Sequence, residues 1–147
     1  AYVYMAMAAY CSDEDYDGFS HFFIVQAQEE YQHAMKFYDF IYDVDGSVEL
    51  KAIPQPEGNY ESVLAAFKEA LAHEELVTSK INKIMDIAVE ENNRFTINFL
   101  QWFIEEQLEE ENSMKKIIST LERIDGNFQG MYMLDKELGQ RVLEPIE

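Results

Sequence analysis

One helical segment of the sequence carries a glutamate and a histidine inside an otherwise apolar row. Glu30 and His33 follow each other at i and i+3, a spacing that places both side chains on one helix face. The members of the row are Phe19, Phe23, Gln26, Glu30, His33, Phe37, Phe40 and Val44. A buried carboxylate without a partner is costly. The carboxylate of Glu30 must therefore be protonated, pair with a cationic group or bind a metal ion.

Two later segments also place acidic side chains in apolar rows. Residues 60–89 contain Glu74 in such a row, and residues 95–124 contain Glu106 and Glu110. The rows are Leu64, Phe67, Leu71, Glu74, Thr78, Ile81, Met85 and Ala88, and then Phe99, Phe103, Glu106, Glu110, Ser113, Ile117, Leu121 and Ile124. Carboxylates that share an apolar interior repel one another unless a multivalent cation neutralises them, and one imidazole among oxygen ligands suits iron, manganese or zinc. We therefore expect these residues to meet in a di-metal carboxylate site inside a helical bundle.

Each of these acidic residues also has an ordinary structural interpretation. An E-x-x-H pair arises by chance on acidic helices, and Glu74 could lie at the edge of a helix face drawn a few tens of degrees wrong. The run EEQLEEE could be a solvated, charged face. All three interpretations would have to hold on three separate helices at once, so the metal site is the better hypothesis.

Five helical segments would position these side chains. The pattern predicts an all-α domain over residues 1–147, with four bundled helices, a long crossover between helices two and three and a short fifth helix. The predicted segments are the end of helix one at 1–11, helix two at 19–44, the crossover at 45–59, helix three at 60–89, helix four at 94–124 and helix five at 130–139. Glycines and prolines make the crossover extended, and only its segment SVELKAI has a pattern that could form a strand.

Composition argues against several classes of partner. The formal net charge of −18 disfavours binding to nucleic acid or to an anionic membrane and concentrates cations near the surface. No apolar run approaches the roughly 20 residues of a membrane-spanning helix. The single cysteine, Cys11, excludes an internal disulfide framework and a cysteine-based metal site within this sequence, and it is compatible with a reducing compartment. We therefore predict a cytoplasmic protein.

The first residues indicate that the start of helix one is missing. The segment AYVYMAMAAYC is apolar, but no basic residues precede it and the acidic segment SDEDYDG follows, which argues against a signal peptide. The sequence begins at Ala1 without an initiator methionine and without a capping residue. We expect that helix one continues before Ala1 in the complete protein.

Four segments give the chain a specific resemblance to a known family. They are AQEEYQHAMKFYDFI, AHEELVTSKI, NFLQWFIEEQLEEE and YMLDKELG. With them the whole chain resembles the non-haem ferritins of bacteria and archaea. The resemblance implies a ferroxidase that oxidises Fe²⁺ with dioxygen at a di-iron carboxylate centre and stores ferric oxide for iron storage and detoxification. It also implies a homo-oligomeric shell of twenty-four subunits, and no haem.

The resemblance implies roles for individual residues of the di-iron centre. Glu30 would bridge the two irons, and His33 would bind the first iron. Glu74 and Glu110 would bind the second iron, with Gln107 close beside it.

Further residues follow from the same resemblance. Tyr4 matches the tyrosine that lies next to the dinuclear centre. A third iron site would be formed by Glu29, Glu106 and Glu109, with Glu110 shared between the sites.

Two departures from related patterns bear on this interpretation. The glutamate that the first helix of the family contributes would lie before Ala1, so the first iron site is incomplete in this sequence. Helix four has Gln107 and Glu110 where bacterioferritins and many di-iron oxidases carry a second E-x-x-H, which favours ferritin. We interpret the remaining histidines, His21 and His73, as surface or interface residues.

Two other functions stay open on the sequence alone. A di-iron peroxidase or oxidase of rubrerythrin type is the first alternative, although its electron-transfer module would need four cysteines and this chain has one. A metal-free acidic bundle that acts as an interaction module is the second, and it predicts that removing metal changes nothing.

Overall fold

Five α-helices make up the secondary structure of residues 1–146, which the computed structural model describes, and no β-strand occurs among them. The helices are α1 (Tyr2–Asp13), α2 (Asp17–Asp43), α3 (Val63–Glu90), α4 (Arg94–Ile124) and α5 (Phe128–Leu138). The predicted all-α class is confirmed, and SVELKAI forms no strand. In the described part of the chain, no helix combines the length and the apolar character needed to cross a membrane.

The chain divides into two compact units, which we describe separately. The first contains Ala1–Glu61 together with the residues from Gly126 onward, and hence α1, α2 and α5. The second contains Ser62–Asp125, and hence α3 and α4. A very short turn joins α1 to α2 in the first unit and α3 to α4 in the second, so the helices of each pair pack as antiparallel neighbours.

Aromatic side chains fill the interior of the first unit. Phe19, Phe23 and Tyr4 are fully buried, and the rings of Tyr4 and Phe23 stack with their centroids 6.2 Å apart. Tyr60, at the end of the crossover, meets Tyr10 of α1 edge to face at 5.3 Å. These contacts fix the face of α2 that carries Glu30 farther along the helix.

The turn between α1 and α2 differs from the predicted one. The sequence suggested that Gly18 belongs to this turn, but the left-handed position is Asp15, with a φ of 62°. Asp15 ends α1 with a Schellman pattern, in which the Tyr16 amide donates to the Cys11 carbonyl at 2.8 Å. α1 therefore extends to Asp13, beyond the predicted end at residue 11.

Gly18 lies inside α2, where α5 approaches the backbone closely. A Cβ atom at Gly18 would lie 1.7 Å from the carbonyl oxygen of Asp135, so only glycine fits. The Asp135 carboxylate accepts a hydrogen bond of 2.9 Å from the Phe19 amide, one of the donors that the start of an α-helix leaves unpaired. This long-range cap explains why α2 begins at Asp17 and not at the predicted residue 19.

Side-chain caps set other helix boundaries. Ser62 accepts a hydrogen bond from the Ala65 amide at 3.0 Å, so α3 begins at Val63 and not at the predicted residue 60. Asn93 accepts from the Thr96 amide at 3.2 Å, and α4 begins at residue 94 as the sequence indicated. Asn127 caps α5 in the same way, which starts that helix at residue 128, earlier than the predicted 130.

The buried row of α4 is shifted by one residue from the predicted row at three turns. Leu100 and Gln107 are buried, whereas Phe99 and Glu106 are only half-buried. Ser113, which we expected to face inward, is exposed, and Met114 is fully buried. Both positions are compatible with a helical repeat of 3.6 residues after Glu110, and the apolar side chain takes the interior position. At the end of the α2 row, Val44 lies outside the helix and is exposed.

Cys11 is fully buried, and this environment controls its chemistry. Burial, followed by the negative charges of Asp135 and Glu14, raises the pKa of the Cys11 thiol to about 12. The folded state therefore favours the protonated thiol of Cys11 over the thiolate. Its contribution to stability is therefore complete below the pKa of the unfolded thiol, about 8.5, and is lost as the pH rises toward 12.

We expect native Cys11 to resist alkylation. At pH 8, iodoacetamide should modify it at least about a thousandfold more slowly than a free cysteine, because only the thiolate reacts and so little of it is present. Mass spectrometry of the native protein and of protein unfolded in guanidinium chloride would measure both rates. Equal rates in the two states would contradict the buried position of this residue.

Candidate metal centre

The first unit presents the E-x-x-H pair on the inner face of α2. His33 is buried and Glu30 is half-buried, and the His33 Nδ1 atom lies 3.7 Å from the Glu30 Oε1 atom. Their i and i+3 spacing aims one oxygen donor and one nitrogen donor in the same direction. Gln26, one turn earlier, is also fully buried, so a polar strip continues from the aromatic interior of the unit.

Glu29, beside Glu30, has a different environment. Its Oε2 atom lies 2.7 Å from the Arg141 Nη2 atom, and the two side chains are 13% and 21% exposed. Burial raises the pKa of the Glu29 carboxyl, and it outweighs the opposing effects of Arg141 and His33. The carboxylate assigned to a third metal site is thus held by a guanidinium in this structure.

The second unit holds a buried carboxylate and amide pair. Glu74 of α3 is fully buried, and Gln107 of α4 is nearly so. The Gln107 Nε2 group donates to the Glu74 Oε2 atom at 3.1 Å, and it lies equally close to the Glu74 carbonyl and the Thr78 hydroxyl. The amide fixes the orientation of the carboxylate, as outer-shell groups do for metal ligands.

Thr78 and Glu111 extend this hydrogen-bond network. The Thr78 hydroxyl donates to the Glu111 Oε2 atom at 2.6 Å, and it also lies 3.0 Å from the Glu74 carbonyl. The sequence placed Thr78 in the inner row of α3 but gave it no role, and it gave Glu111 none. The only signal in the sequence for this network was the position of Thr78, one helical turn after Glu74.

The other acidic residues of α4 differ in burial. Glu110 is buried, Glu106 is half-buried and Glu109 is exposed. Glu106 is three residues before Glu109 and four residues before Glu110, so it shares a face of α4 with each of them. Of the residues predicted for the third site, Glu109 therefore lies where solvent reaches it.

The remaining histidines, His21 and His73, lie in α2 and α3. The His21 Nε2 atom is 2.7 Å from the main-chain oxygen of Arg141, so this residue contacts the segment after α5. His73 is half-buried and lies next to Glu74 in α3. The donors that the two units present are thus mostly hard carboxylate oxygens with one imidazole, a set that fits iron.

Comparison with known proteins assigns the chain to a family. Residues 1–124 match the family described as Ferritin-like domain. The chain belongs to this family. Its sequence is 43% identical over 141 residues to the bacterial non-heme ferritin of Staphylococcus haemolyticus, covering 96% of this chain and 85% of that protein. It is 41% identical over 144 residues to the bacterial non-heme ferritin of Staphylococcus aureus strain USA300, covering 98% and 87%.

Solved structures of archaeal ferritins share the fold of this ferritin-like chain. An engineered closed form of the Archaeoglobus fulgidus ferritin has a TM-score of 0.96 and 40% identity, covering 97% of this chain and 87% of that one. The open pore ferritin of the same archaeon has a TM-score of 0.95 at 40% identity, covering 96% and 87%. The predicted fold, a ferritin-like four-helix bundle with a long crossover and a short fifth helix, is confirmed.

Proposed function

We propose that this ferritin-like chain oxidises Fe²⁺ with dioxygen and stores the ferric product. The observation that carries the proposal is the set of carboxylates on the inner faces of three helices, which are half-buried Glu30 beside His33, buried Glu74 held by Gln107, and buried Glu110. Burying these acids without a cation would be unfavourable, and the chain is more than 40% identical to proteins named bacterial non-heme ferritin.

We assign the iron ligands as the family resemblance implies. Glu30 bridges two irons, His33 binds the first, and Glu74 and Glu110 bind the second. Gln107 acts on the second iron through Glu74, whose carboxylate it orients by a hydrogen bond of 3.1 Å.

A third iron site and a nearby tyrosine complete the proposal. Glu29, Glu106 and Glu109, with Glu110 shared, would bind the third iron. Tyr4 would lie next to the dinuclear centre, and its full burial and its stacking on Phe23 would hold it rigidly there.

The chemistry belongs to iron, and the protein binds and tunes it. Each Fe²⁺ gives one electron to dioxygen, and hard oxygen ligands make this step easier because they stabilise Fe³⁺ more than Fe²⁺. The apolar residues around the ligands, such as Phe103 and Met114 beside Gln107 and Glu110 in α4, would exclude bulk water and competing reactions.

We also propose that the chain assembles into a homo-oligomeric shell of twenty-four subunits in the cytoplasm. Several large apolar side chains are exposed on the single chain, among them Leu50, Ile53, Phe95 and Phe128. Contacts between copies would bury such residues. The acidic composition would concentrate Fe²⁺ at the surface of the shell.

The alternative of a rubrerythrin-type peroxidase or oxidase is not favoured. The relatives that match nearly the whole chain are named non-heme ferritins. A metal-free interaction module is also disfavoured, since it gives no reason for Glu74 and Glu110 to be buried.

Iron uptake by the purified, metal-free protein tests the proposal. We expect two Fe²⁺ per chain to be oxidised rapidly when air is admitted, and much larger additions of iron to remain with the protein on size-exclusion chromatography as ferric mineral. Protein-free buffer is the control. Oxidation without retained iron would favour an enzyme that releases its product, and an absence of both would refute the proposal.

A further inference from the structure

The segment that follows α5 lies against α2 and is held there through Arg141. Its guanidinium pairs with Glu29 at 2.7 Å, donates to the Phe22 carbonyl at 3.3 Å and lies 4.3 Å from the centre of the Phe22 ring. The Arg141 carbonyl lies 2.7 Å from the His21 Nε2 atom. Arg141 thus contacts α2 at three residues, through both its side chain and its backbone.

The packing of α5 on α2 sets the position of Arg141. A Cβ atom at Gly139 would lie 3.2 Å from the Cα atom of Gly18, so the two backbones nearly touch just before Arg141. The Asp135 carboxylate, one turn earlier, caps the start of α2. The helix that carries Glu29 and the segment that carries Arg141 are therefore fixed relative to each other.

A guanidinium and a metal ion at Glu29 compete for the same negative charge. The hydrogen bond joins a guanidinium to a carboxylate, so it is charge-assisted, and the pair is mostly shielded from water, which makes the bond stronger than one on an open surface. A cation that binds Glu29 must break this bond and approach a carboxylate that still has a positive group beside it. Glu29 is consequently unlike Glu74, whose oxygen accepts from a neutral amide.

We propose that Arg141 is a positioning residue that controls the third iron site. It holds Glu29 in an ion pair when no iron is bound there, and iron binds at Glu29 only when the guanidinium moves away. Iron therefore fills the dinuclear centre first and occupies the third site weakly, which lets it pass onward to the store. This inference rests on the proposed function, because it takes Glu29 to be an iron ligand.

Anaerobic binding of Fe²⁺ to the intact protein and to Arg141→Gln tests this role. In the variant we expect the third Fe²⁺ per chain to bind about tenfold more tightly, the lower end of what a hydrogen bond between charged groups contributes. The first two Fe²⁺ should bind as in the parent protein. Anomalous scattering at the iron edge, from crystals soaked anaerobically in Fe²⁺, should show higher occupancy beside Glu29 in the variant.

Two further variants separate competition from other effects. Lys136→Gln removes the same charge from α5, where the ammonium lies over Tyr132 and not beside Glu29, and it should leave all three affinities unchanged. Adding Glu29→Gln to Arg141→Gln should abolish the gain, since the ligand itself is lost. If Arg141→Gln loses helical signal in circular dichroism, Arg141→Lys provides the test, with a smaller gain expected.

The outcomes are distinguishable from failure of the proposed function. Arg141→Gln could bind the first two Fe²⁺ normally but bind the third Fe²⁺ no more tightly than the parent protein does. That result would refute the role of Arg141 and leave the ferroxidase proposal standing. A merely structural role would give this result, because loosening the site weakens binding. If the parent protein binds no Fe²⁺ at all, both proposals are wrong.

Discussion

Replacing Glu74 with glutamine is expected to slow Fe²⁺ oxidation by at least about a hundredfold and to remove the second iron, without unfolding the protein. Loss of outer-shell groups alone costs metal sites about 10–100-fold in affinity or activity, so loss of a ligand should cost no less. Glutamine has the same shape as glutamate, and its carbonyl can still accept the hydrogen bond from Gln107. Stopped-flow absorbance would follow the oxidation, and anaerobic binding would count the irons.

The stability of this variant gives an independent check. Glu74 is fully buried, so the metal-free protein carries the cost of an acidic group in its interior. We expect the free energy of unfolding of metal-free Glu74→Gln to be equal to that of the parent protein or higher. The iron-loaded protein should show the opposite order, because bound metal stabilises only the form that binds it.

A matched control lies one residue away. Glu75 is exposed, so Glu75→Gln makes the same chemical change on the outer side of α3. It should leave iron binding, oxidation rate and stability within experimental error of the parent protein. If Glu74→Gln oxidised Fe²⁺ as fast as Glu75→Gln, Glu74 would not be a ligand and the assignment of the second iron would be wrong.

The sequence predicted the helices well because their inner faces repeat over many turns. In α4, an apolar or carboxylate side chain returns every three or four residues, and such a pattern has few alternative folds. It did not distinguish Ser113 from Met114, because a short stretch of a helix row fits both positions. Burial of the apolar side chain decides between them, and burial depends on what packs against the helix.

Some helix starts were predicted wrongly even though a local residue caps the helix, and the start of α2 depends on a distant residue. Ser62 and Asn93 cap their own helices, so their signals are local, but the prediction still started α3 at residue 60 instead of Val63. The start of α2 depends on the carboxylate of Asp135, which is 116 residues away in the chain. No local pattern reports such a contact.

The difference between local sequence signals and contacts with distant residues also applies to the candidate site. Glu30, His33, Glu74 and Glu110 interrupt apolar rows, so their residue types and spacing are enough to indicate them as candidate ligands. Arg141 lies in a short segment with no periodic pattern, and its pairing with Glu29 depends on how α5 packs on α2. Groups that modify a metal site are therefore harder to find from sequence than its ligands.

Replacing His33 with alanine is expected to weaken iron binding and slow oxidation by about tenfold to a hundredfold while the helices remain. His33 is the one nitrogen donor proposed for the centre, and its Nδ1 atom lies 3.7 Å from the Oε1 atom of Glu30, the proposed bridging ligand. Removing it would cost the first iron a ligand, and loss of a ligand should cost at least as much as loss of an outer-shell group. Oxidation kinetics and anaerobic Fe²⁺ binding would measure it.

The fold should survive the change to alanine, because alanine has the highest helix propensity and His33 lies in the middle of α2. Circular dichroism should therefore show unchanged helix content, with the free energy of unfolding lowered by no more than about 2 kcal/mol. His73→Ala, which removes a half-buried imidazole from α3, is the control and should oxidise Fe²⁺ normally. A loss of helical signal in His33→Ala, together with normal oxidation by the remaining folded protein, would mean that His33 packs the interior and does not bind iron.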